Sequence, residues 1–431
     1  MNNQQYDFIV VGSGPGGATV ARELTARGKK VLILEWGKNT PMNGSLVRFG
    51  RSVGMPGKGL MFTDYKGQVM IRGICTGGSS VFYCATAFEP PYEMLRNYGI
   101  DIENEVRELK NEIPIAPLKD ELIGPGAKKI MESAQDLGYD WHKINKFIFQ
   151  DKCRLDCQMC SYGCPYGAKW TARNFVEQAM TGGAELVNGA RATKILFEGN
   201  RAVGVEFRKN FKTRSVYGKN IIVSAGGIGS PVLLRHSGLY GAGYDFFYDP
   251  LYMVFGTVDG VRSRGETQMA GGIHVAEDGY VMTDLKAPAL IYLPMIAPRL
   301  RAHKVFSHSK TLMIMVKIKD DLGGRITWHG GVRKSLSRED KLRLAKGCDN
   351  ARRILTHAGA KDVFKSWGLA AHPGGTVKIN DLVDADLKTR RDNLYVCDCS
   401  VIPEAWGLPP TLTLLGLGKR LARHLVEERG A

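Results

Sequence analysis

No run of apolar residues in this 431-residue chain reaches the roughly 18 that a membrane-crossing helix requires, so a spanning segment is not expected. The opening Met-Asn-Asn-Gln-Gln-Tyr-Asp lacks the charged and apolar regions of a secretion signal, and the expectation is a soluble, cytoplasmic protein. Acidic residues are in deficit, 43 against 59 basic ones, for a net charge of +16. That excess suits an acidic redox partner, an anionic membrane surface or nucleic acid, or serves solubility alone. Zinc-finger spacing, RNA-binding motifs and basic low-complexity tails are all missing, so nucleic acid is not an expected partner. Cysteine is scarce too. Nine in a chain of this length are too few for a disulfide scaffold, and a chain this long buries a core without staples. No internal repeat is present.

What is present begins with a βαβ pattern. Residues 7–11 (Asp-Phe-Ile-Val-Val) form a short apolar run of the kind buried on both sheet faces, and Gly12-Ser-Gly-Pro-Gly-Gly follows at once. Ala18, Ala21 and Leu24 fall at helical spacing, Gly28 is a helix stop, and residues 31–34 make a second buried strand. Gly12, Gly14 and Gly17 satisfy G-x-G-x-x-G: one glycine for the tight turn, one for the approach of a pyrophosphate, one for close helix packing. Glu35 ends the second strand, placed to accept hydrogen bonds from ribose hydroxyls. These features point to a bound dinucleotide without separating FAD from NAD.

Farther along, residues 38–90 are rich in Gly and Met and read as extended chain wrapping a ligand, punctuated by Gly77-Gly78-Ser79-Ser80. Helical periodicity returns over 103–137 and 170–180, on either side of a Cys-, Gly- and Tyr-rich loop at 153–169. Strands over 184–207 and 220–224 lead into Ala225-Gly226-Gly-Ile-Gly-Ser-Pro. Residues 241–364 alternate in short β-like runs (252–258, 279–282, 311–317, 325–329) before a helix at 338–357, a mostly antiparallel pattern. The last stretch, 372–428, returns to the nucleotide unit. Phe246, Phe247, Tyr252, Met253, Tyr292 and Met295 suit either an apolar pocket or core packing.

Gly77-Gly78-Ser79-Ser80, the block from Gly226 to Leu239, His372-Pro-Gly-Gly-Thr, and Asn393-Leu-Tyr-Val-Cys-Asp-Cys-Ser-Val-Ile-Pro403 together resemble the glucose-methanol-choline (GMC) oxidoreductases, in that family's order and over nearly the whole chain. The resemblance implies FAD and an α/β fold: a Rossmann-like FAD-binding domain (1–240 and 365–431, carrying the cysteine-rich loop 150–170) with an inserted α+β substrate domain (241–364) containing a mainly antiparallel sheet, trimmed relative to the family. It also implies a reaction, the oxidation of an alcohol-type CH–OH substrate by hydride transfer to flavin. By the same resemblance His372 is the base that takes the hydroxyl proton, a task suited to an imidazole titrating near neutrality. Asp398 and Thr411 would lie near the flavin, with 411–421 as the closing helix. Two departures stand out. Pro409 occupies the place of the family's second His or Asn and offers no side-chain donor, and Tyr83 stands near the place of the usual Asn after Gly-Gly-Ser-Ser. They leave open the reverse reaction, reduction of a carbonyl or activated double bond, and a non-catalytic FAD electron-transfer subunit.

Cys153-x3-Cys157-x2-Cys160-x3-Cys164-Pro165 places four soft ligands within a short loop. An iron-sulfur cluster of the 4Fe-4S or 3Fe-4S type suits this run, whose final Cys-Pro resembles that of bacterial ferredoxins. Structural zinc and disulfides remain open alternatives. A radical-SAM site is excluded because that motif belongs to a barrel, whereas this one interrupts a flavin domain. Cys75, Cys84, Cys348, Cys397 and Cys399 read as buried small hydrophobes. With a cluster present, electrons would leave singly to an external acceptor, an acidic carrier protein or redox subunit docked on the basic surface.

Overall fold

The computed structural model describes residues 5–40, 43–63, 68–263 and 265–427. Residues 1–4 of the leader, parts of the Gly- and Met-rich stretch at 41–42 and 64–67, and the end of the final stretch at 428 lie outside the described residues.

The run at 7–11 becomes strand Tyr6–Val11, buried along almost its whole length because it pairs on both sides. It runs parallel to Val31–Glu35 on one flank and to the end of Lys212–Val223 on the other. Glu185–Asn188 and Leu394–Val396 extend the parallel array, and Arg191–Glu198 and Arg201–Lys209 add an antiparallel flap. The G-x-G-x-x-G turn feeds helix Pro15–Ala26, whose proline sits in the first turn, where no amide hydrogen is needed. That helix packs between Ala172–Thr181 and the closing helix Thr411–Glu427. Glycine permits the approach: a Cβ on Gly418 would stand 2.9 Å from the Gly16 carbonyl oxygen.

Among the described residues a second sheet has 12 strands. Its centre is the antiparallel set Pro250–Thr257, Thr311–Ile318, Tyr280–Asp284 and Gly271–Val275. The sheet is not confined to residues 241–364, because Leu60–Thr63, Gln68–Ile71 and His142–Lys143 pair into it. Helix Arg338–His357, capped by a reciprocal Ser337/Asp340 box, covers one face. Helix Ala289–Ile296 lies on the other, with Tyr292 against Phe255 at 5.0 Å.

Two segments differ from the pattern reading. The periodic stretch 103–137 is two helices, Glu103–Glu112 and Pro125–Asp136, because Pro114 and Pro117 interrupt it and strand Ile115–Pro117 pairs elsewhere. The Gly- and Met-rich stretch contains helix Leu46–Val53, held by Phe49, whose ring meets Tyr162 at 5.0 Å and Phe82 at 5.6 Å. Tertiary contact there overrides a weak local signal.

Gly16 sets how closely the first helix approaches the sheet, since a Cβ there would lie 2.1 Å from the Cys397 carbonyl oxygen. Gly16→Val should therefore cost about 2–3 kcal/mol, seen as a lower urea midpoint at unchanged m-value.

Candidate active site

The nucleotide end is built from backbone. Gly12 takes a φ of +105°, and a Cβ there would lie 2.2 Å from the Ser224 oxygen. A Cβ on Gly17 would meet the Gly12 oxygen at 2.3 Å, whereas Gly14, at the helix N-cap, has open space where a Cβ would point. Helix Pro15–Ala26 has no side-chain cap, so its first amides and dipole face that space and suit an anionic group.

Glu35 is buried and holds this turn together. Its Oε2 accepts from Ser13 Oγ at 2.5 Å and Ser13 N at 3.2 Å, and its Oε1 from Gly37 N at 2.6 Å. Burial raises the Glu35 carboxyl above the usual range against these bonds. Ser13 Oγ in turn accepts from Gly77 N at 3.1 Å. The Gly77–Gly78 turn, left-handed at both residues, is thereby set on the fingerprint, with the Cβ position of Gly78 3.0 Å from the Gly14 Cα. Ser79 and Ser80 brace this turn: Ser79 Oγ accepts from Gly73 N, and Ser80 Oγ donates to the Gly77 oxygen and accepts from Ala172 N.

A second turn comes from the other end of the chain. Ala225 caps helix Gly226–His236, and Gly226, at φ +79°, also faces open space. Asp398 pins it. The buried carboxylate accepts from Gly226 N at 2.8 Å, Ser230 Oγ at 2.5 Å and Ser400 N at 2.8 Å, so it shapes the turn. Gly227 presses so closely on the next segment that a Cβ would overlap the Pro373 oxygen at 1.8 Å, which brings His372 beside the turn. Thr411 opens the closing helix and is buried, two residues before Thr413, whose Oγ1 has no partner among the described residues.

His372 sits at φ +49°. Its Nδ1 lies 3.0 Å from Asp249 Oδ2 and 3.2 Å from Lys317 Nζ, and Lys317 Nζ donates to the same Asp249 oxygen at 2.9 Å. The His372 side chain is 28% exposed, whereas those of Asp249 and Lys317 are 2% and 1% exposed. The Nδ1 edge of the ring is thus locked. Burial and then Lys317 lower the imidazole below its ordinary value, opposed by Asp249. Asp320 accepts from the amides of Tyr248 and Asp249 and pairs with Lys334 at 2.7 Å, which fixes the Asp249 turn. Burial raises Asp320 to about 6. Pattern reading missed Asp249, Lys317 and Asp320. The available signal was a lone Lys317 inside the fully buried strand Thr-Leu-Met-Ile-Met-Val-Lys-Ile.

Sequence comparison settles the lineage. Models of the GMC oxidoreductases match residues 6–243 and 332–418. The chain belongs to the GMC oxidoreductase family. It is similar to an uncharacterized protein of Methanocaldococcus jannaschii, 28% identical over 98% of this chain and 100% of that one. A long-chain-alcohol oxidase of Arabidopsis thaliana is 21% identical over 97% of this chain and 68% of that one. The fold is similar to that of pyridoxine 4-oxidase from Mesorbium loti, with a TM-score of 0.76 at 17% identity, covering 97% and 99% of the two chains.

This GMC oxidoreductase is an FAD-dependent enzyme, with a Rossmann-like FAD-binding domain and a substrate domain whose sheet is mostly antiparallel. The cradle fits the cofactor, since Gly14 and Gly226 leave open space beside exposed helix amides. Tyr83, near the place of the family's Asn, donates instead to the Trp170 oxygen at 2.8 Å. The segment holding Pro409 passes the substrate sheet, with the Cβ position of Gly407 2.9 Å from Lys319 N. The six candidate pocket residues spread over separate core clusters, as core packing requires.

Cys153, Cys157, Cys160 and Cys164 line one cavity of about 310 Å³, counting its open mouth, together with Lys169 and Thr267. None of the nine cysteines is paired in a disulfide. Among the described residues no three His, Cys, Asp or Glu side chains are grouped to hold a single metal ion. Cys75, Cys348, Cys397 and Cys399 are buried and Cys84 is half-buried. No helix of the described residues is long and apolar enough to cross a membrane.

Glu35→Ala would strand Ser13 Oγ and the Gly37 amide and release the Gly77 turn. FAD should then bind at least ~10-fold more weakly, measured by fluorescence titration of the apoprotein, with Glu35→Gln intermediate.

Proposed function

We propose that the enzyme is a dehydrogenase that oxidises an alcohol-type CH–OH substrate, His372 taking the hydroxyl proton, and passes the electrons to an external acceptor through an iron-sulfur cluster held by Cys153, Cys157, Cys160 and Cys164. FAD would be held by Gly12, Gly14, Gly17, Glu35, the Gly77–Gly78–Ser79–Ser80 turn and the Ala225–Gly226 turn. When bound, it supplies a hydride acceptor that releases its electrons singly. The observation that carries the reading is that His372, on the segment pressed against the Gly227 turn, has Nδ1 tied to a buried carboxylate while its side chain stays 28% exposed.

Asp249 Oδ2 lies nearer Nδ1 than Lys317 Nζ does, at 3.0 against 3.2 Å, and an ionised carboxylate only accepts, so Asp249 places the imidazole proton on Nδ1 and leaves the lone pair on Nε2. A proton arriving at Nε2 makes an imidazolium, which Asp249 stabilises from behind. Lys317 has two effects. It neutralises Asp249 while the ring is uncharged, and it repels the imidazolium, so the ring stays a free base at lower pH. Asp249 and Lys317 are positioning residues.

The likeness to a long-chain-alcohol oxidase supports the alcohol class. We further propose an acidic electron-carrier protein as acceptor, drawn by the +16 charge, and a cytoplasmic setting in which the loop cysteines stay reduced.

His372→Ala should retain FAD and still bleach with dithionite, yet lose at least ~100-fold in bleaching rate by the best of a panel of alcohols. Undiminished bleaching would remove His372 from the mechanism. Asp249→Asn should cost a similar factor, because an amide can donate to Nδ1 and turn the Nε2 lone pair into an N–H.

Lys317→Met tests the sign of the electrostatics. Proton uptake needs the neutral ring, so the rate falls as pH drops through the His372 pKa. Loss of the ammonium raises that pKa, and the acidic limb of the bleaching rate should move to higher pH. Asp249 also faces the ring, and the Cys399 sulfur lies 3.8 Å from the His372 backbone carbonyl oxygen. Carrier reduction should slow as ionic strength rises, and a salt-independent rate would discard electrostatic docking.

A further inference from the structure

Two lysines beside the cysteine cavity have no part in the chemistry above. Lys146, on strand Asn145–Phe147, is fully buried and donates to the carbonyl oxygens of Cys84, Gln268 and Met269 at 2.5, 2.7 and 3.1 Å. Lys169, 5% exposed and itself a wall of the cavity, donates to the carbonyls of Val81, Tyr83 and Cys160 at 2.7, 3.1 and 2.6 Å. Neither ammonium forms an ion pair with a carboxylate among the described residues. Carbonyl dipoles solvate a buried cation but do not cancel its charge, and a buried charge left uncancelled is costly.

Thiolates bound to metal would supply the missing sign. A single tetrahedral ion would need the sulfurs drawn to about 2.3 Å from one point. Instead the four cysteines are spread around a shared space, and no three metal-binding side chains of the described residues are grouped for one ion. A polynuclear core bridges such a space, because each cysteine then ligates its own iron. Held by four thiolates, a 4Fe-4S core carries a net charge of about −2 in its oxidised form, which two ammonium groups balance.

We infer that the cavity holds a four-iron cluster rather than a single metal ion, and that Lys146 and Lys169 are its buried counter-charges, built in to make the cluster easier to reduce. The inference rests on the cluster reading above and adds to it the nuclearity and two positioning residues. Adding an electron makes the core more negative, and a fixed positive charge nearby stabilises that state. Each lysine thereby favours electron flow from the flavin into the cluster.

The test uses the full-length flavoprotein prepared without air and reconstituted with ferrous iron and sulfide. Iron, sulfide and zinc are counted per chain, and the cluster potential is titrated by visible and EPR spectroscopy in the parent, Lys146→Met, Lys169→Met, and the charge-retaining Lys146→Arg and Lys169→Arg. The expected result is about four irons and four sulfides per chain, a lower potential in each Met variant, and a potential close to the parent's in the Arg variants. Loss of the cluster from a Met variant but not from its Arg counterpart supports the counter-charge role equally. A four-iron cluster whose potential is the same in all variants, or one lost from the Met and Arg variants alike, overturns the role of the lysines and leaves the cluster reading intact. Zinc, or no metal after reconstitution, with FAD still bound, overturns both.

Discussion

The buried pair of Lys317 and Asp249 is the constraint on which the site depends. Two opposite charges taken almost wholly out of water recover their desolvation cost only when geometry is good and remaining donors are used. Lys317 donates to Asp249 Oδ2 and lies 3.2 Å from the His372 ring nitrogen, and the Asp249 backbone amide is held by Asp320, which in turn faces Lys334. Removing one member leaves its neighbour charged and unpaired. The arrangement also joins parts of the chain far apart in sequence: Asp249 at the entry to a sheet strand, Lys317 inside a second strand, His372 on the segment returning to the FAD-binding domain. Asp249 and His372 both carry positive φ, at +43° and +49°, a strain of about 1–3 kcal/mol each for residues with a Cβ. Backbone bonds hold them there. Phe247 and Gly374 exchange N–H and C=O groups, and Ala371 N donates to the Tyr248 oxygen.

Around the cofactor cradle most polar side chains are spent on protein rather than aimed at a ligand. Glu35 ties Ser13 to Gly37, Ser80 links the Gly77 turn to helix Ala172–Thr181, and Asp398 grips Gly226, Ser230 and Ser400. What remains for a dinucleotide is backbone amide at glycine turns and a helix N-terminus. That division accounts for why glycine and serine mark these segments so densely, and it gives Asp398 a structural task.

The parts of this architecture legible in sequence are those that local physics dictates. A buried parallel strand, a glycine turn, a helix with proline in its first turn and a second buried strand each leave a pattern in adjacent residues, and the observed Tyr6–Val11, Pro15–Ala26 and Val31–Glu35 follow it. The cysteine run is equally local. Asp249, Lys317 and Asp320 are different, because each acts through a partner scores of residues away. Lys317 is separated from Asp249 by 68 positions and from His372 by 55. Only folding shows that one lysine in an apolar strand meets one aspartate before a proline. The substrate sheet is mixed for the same reason: its alternating strands could be read, but not that Leu60–Thr63 and Gln68–Ile71 would cross to join them.

The same contacts relate the cofactor cradle to the cysteine cavity. The segment from Gly77 to Cys84 touches both. At its start the Gly78 backbone abuts Gly14 and Gly77 N donates to Ser13 Oγ. A few residues on, the carbonyls of Val81 and Tyr83 accept from Lys169, whose third bond goes to Cys160, and the Cys84 carbonyl accepts from Lys146. Tyr83 is pinned besides, through its hydroxyl, to the Trp170 oxygen. A strap of eight residues is therefore fastened at one end to the pyrophosphate turn and at the other to both buried lysines. The proposed transfer from flavin to cluster would benefit from such fixed geometry, since added distance and reorienting dipoles between donor and acceptor slow electron transfer. With its donors and acceptors bonded within the protein, this strap has little freedom to reorient. The lysines proposed as counter-charges are thus also the fastening that holds the cradle and the cavity in register.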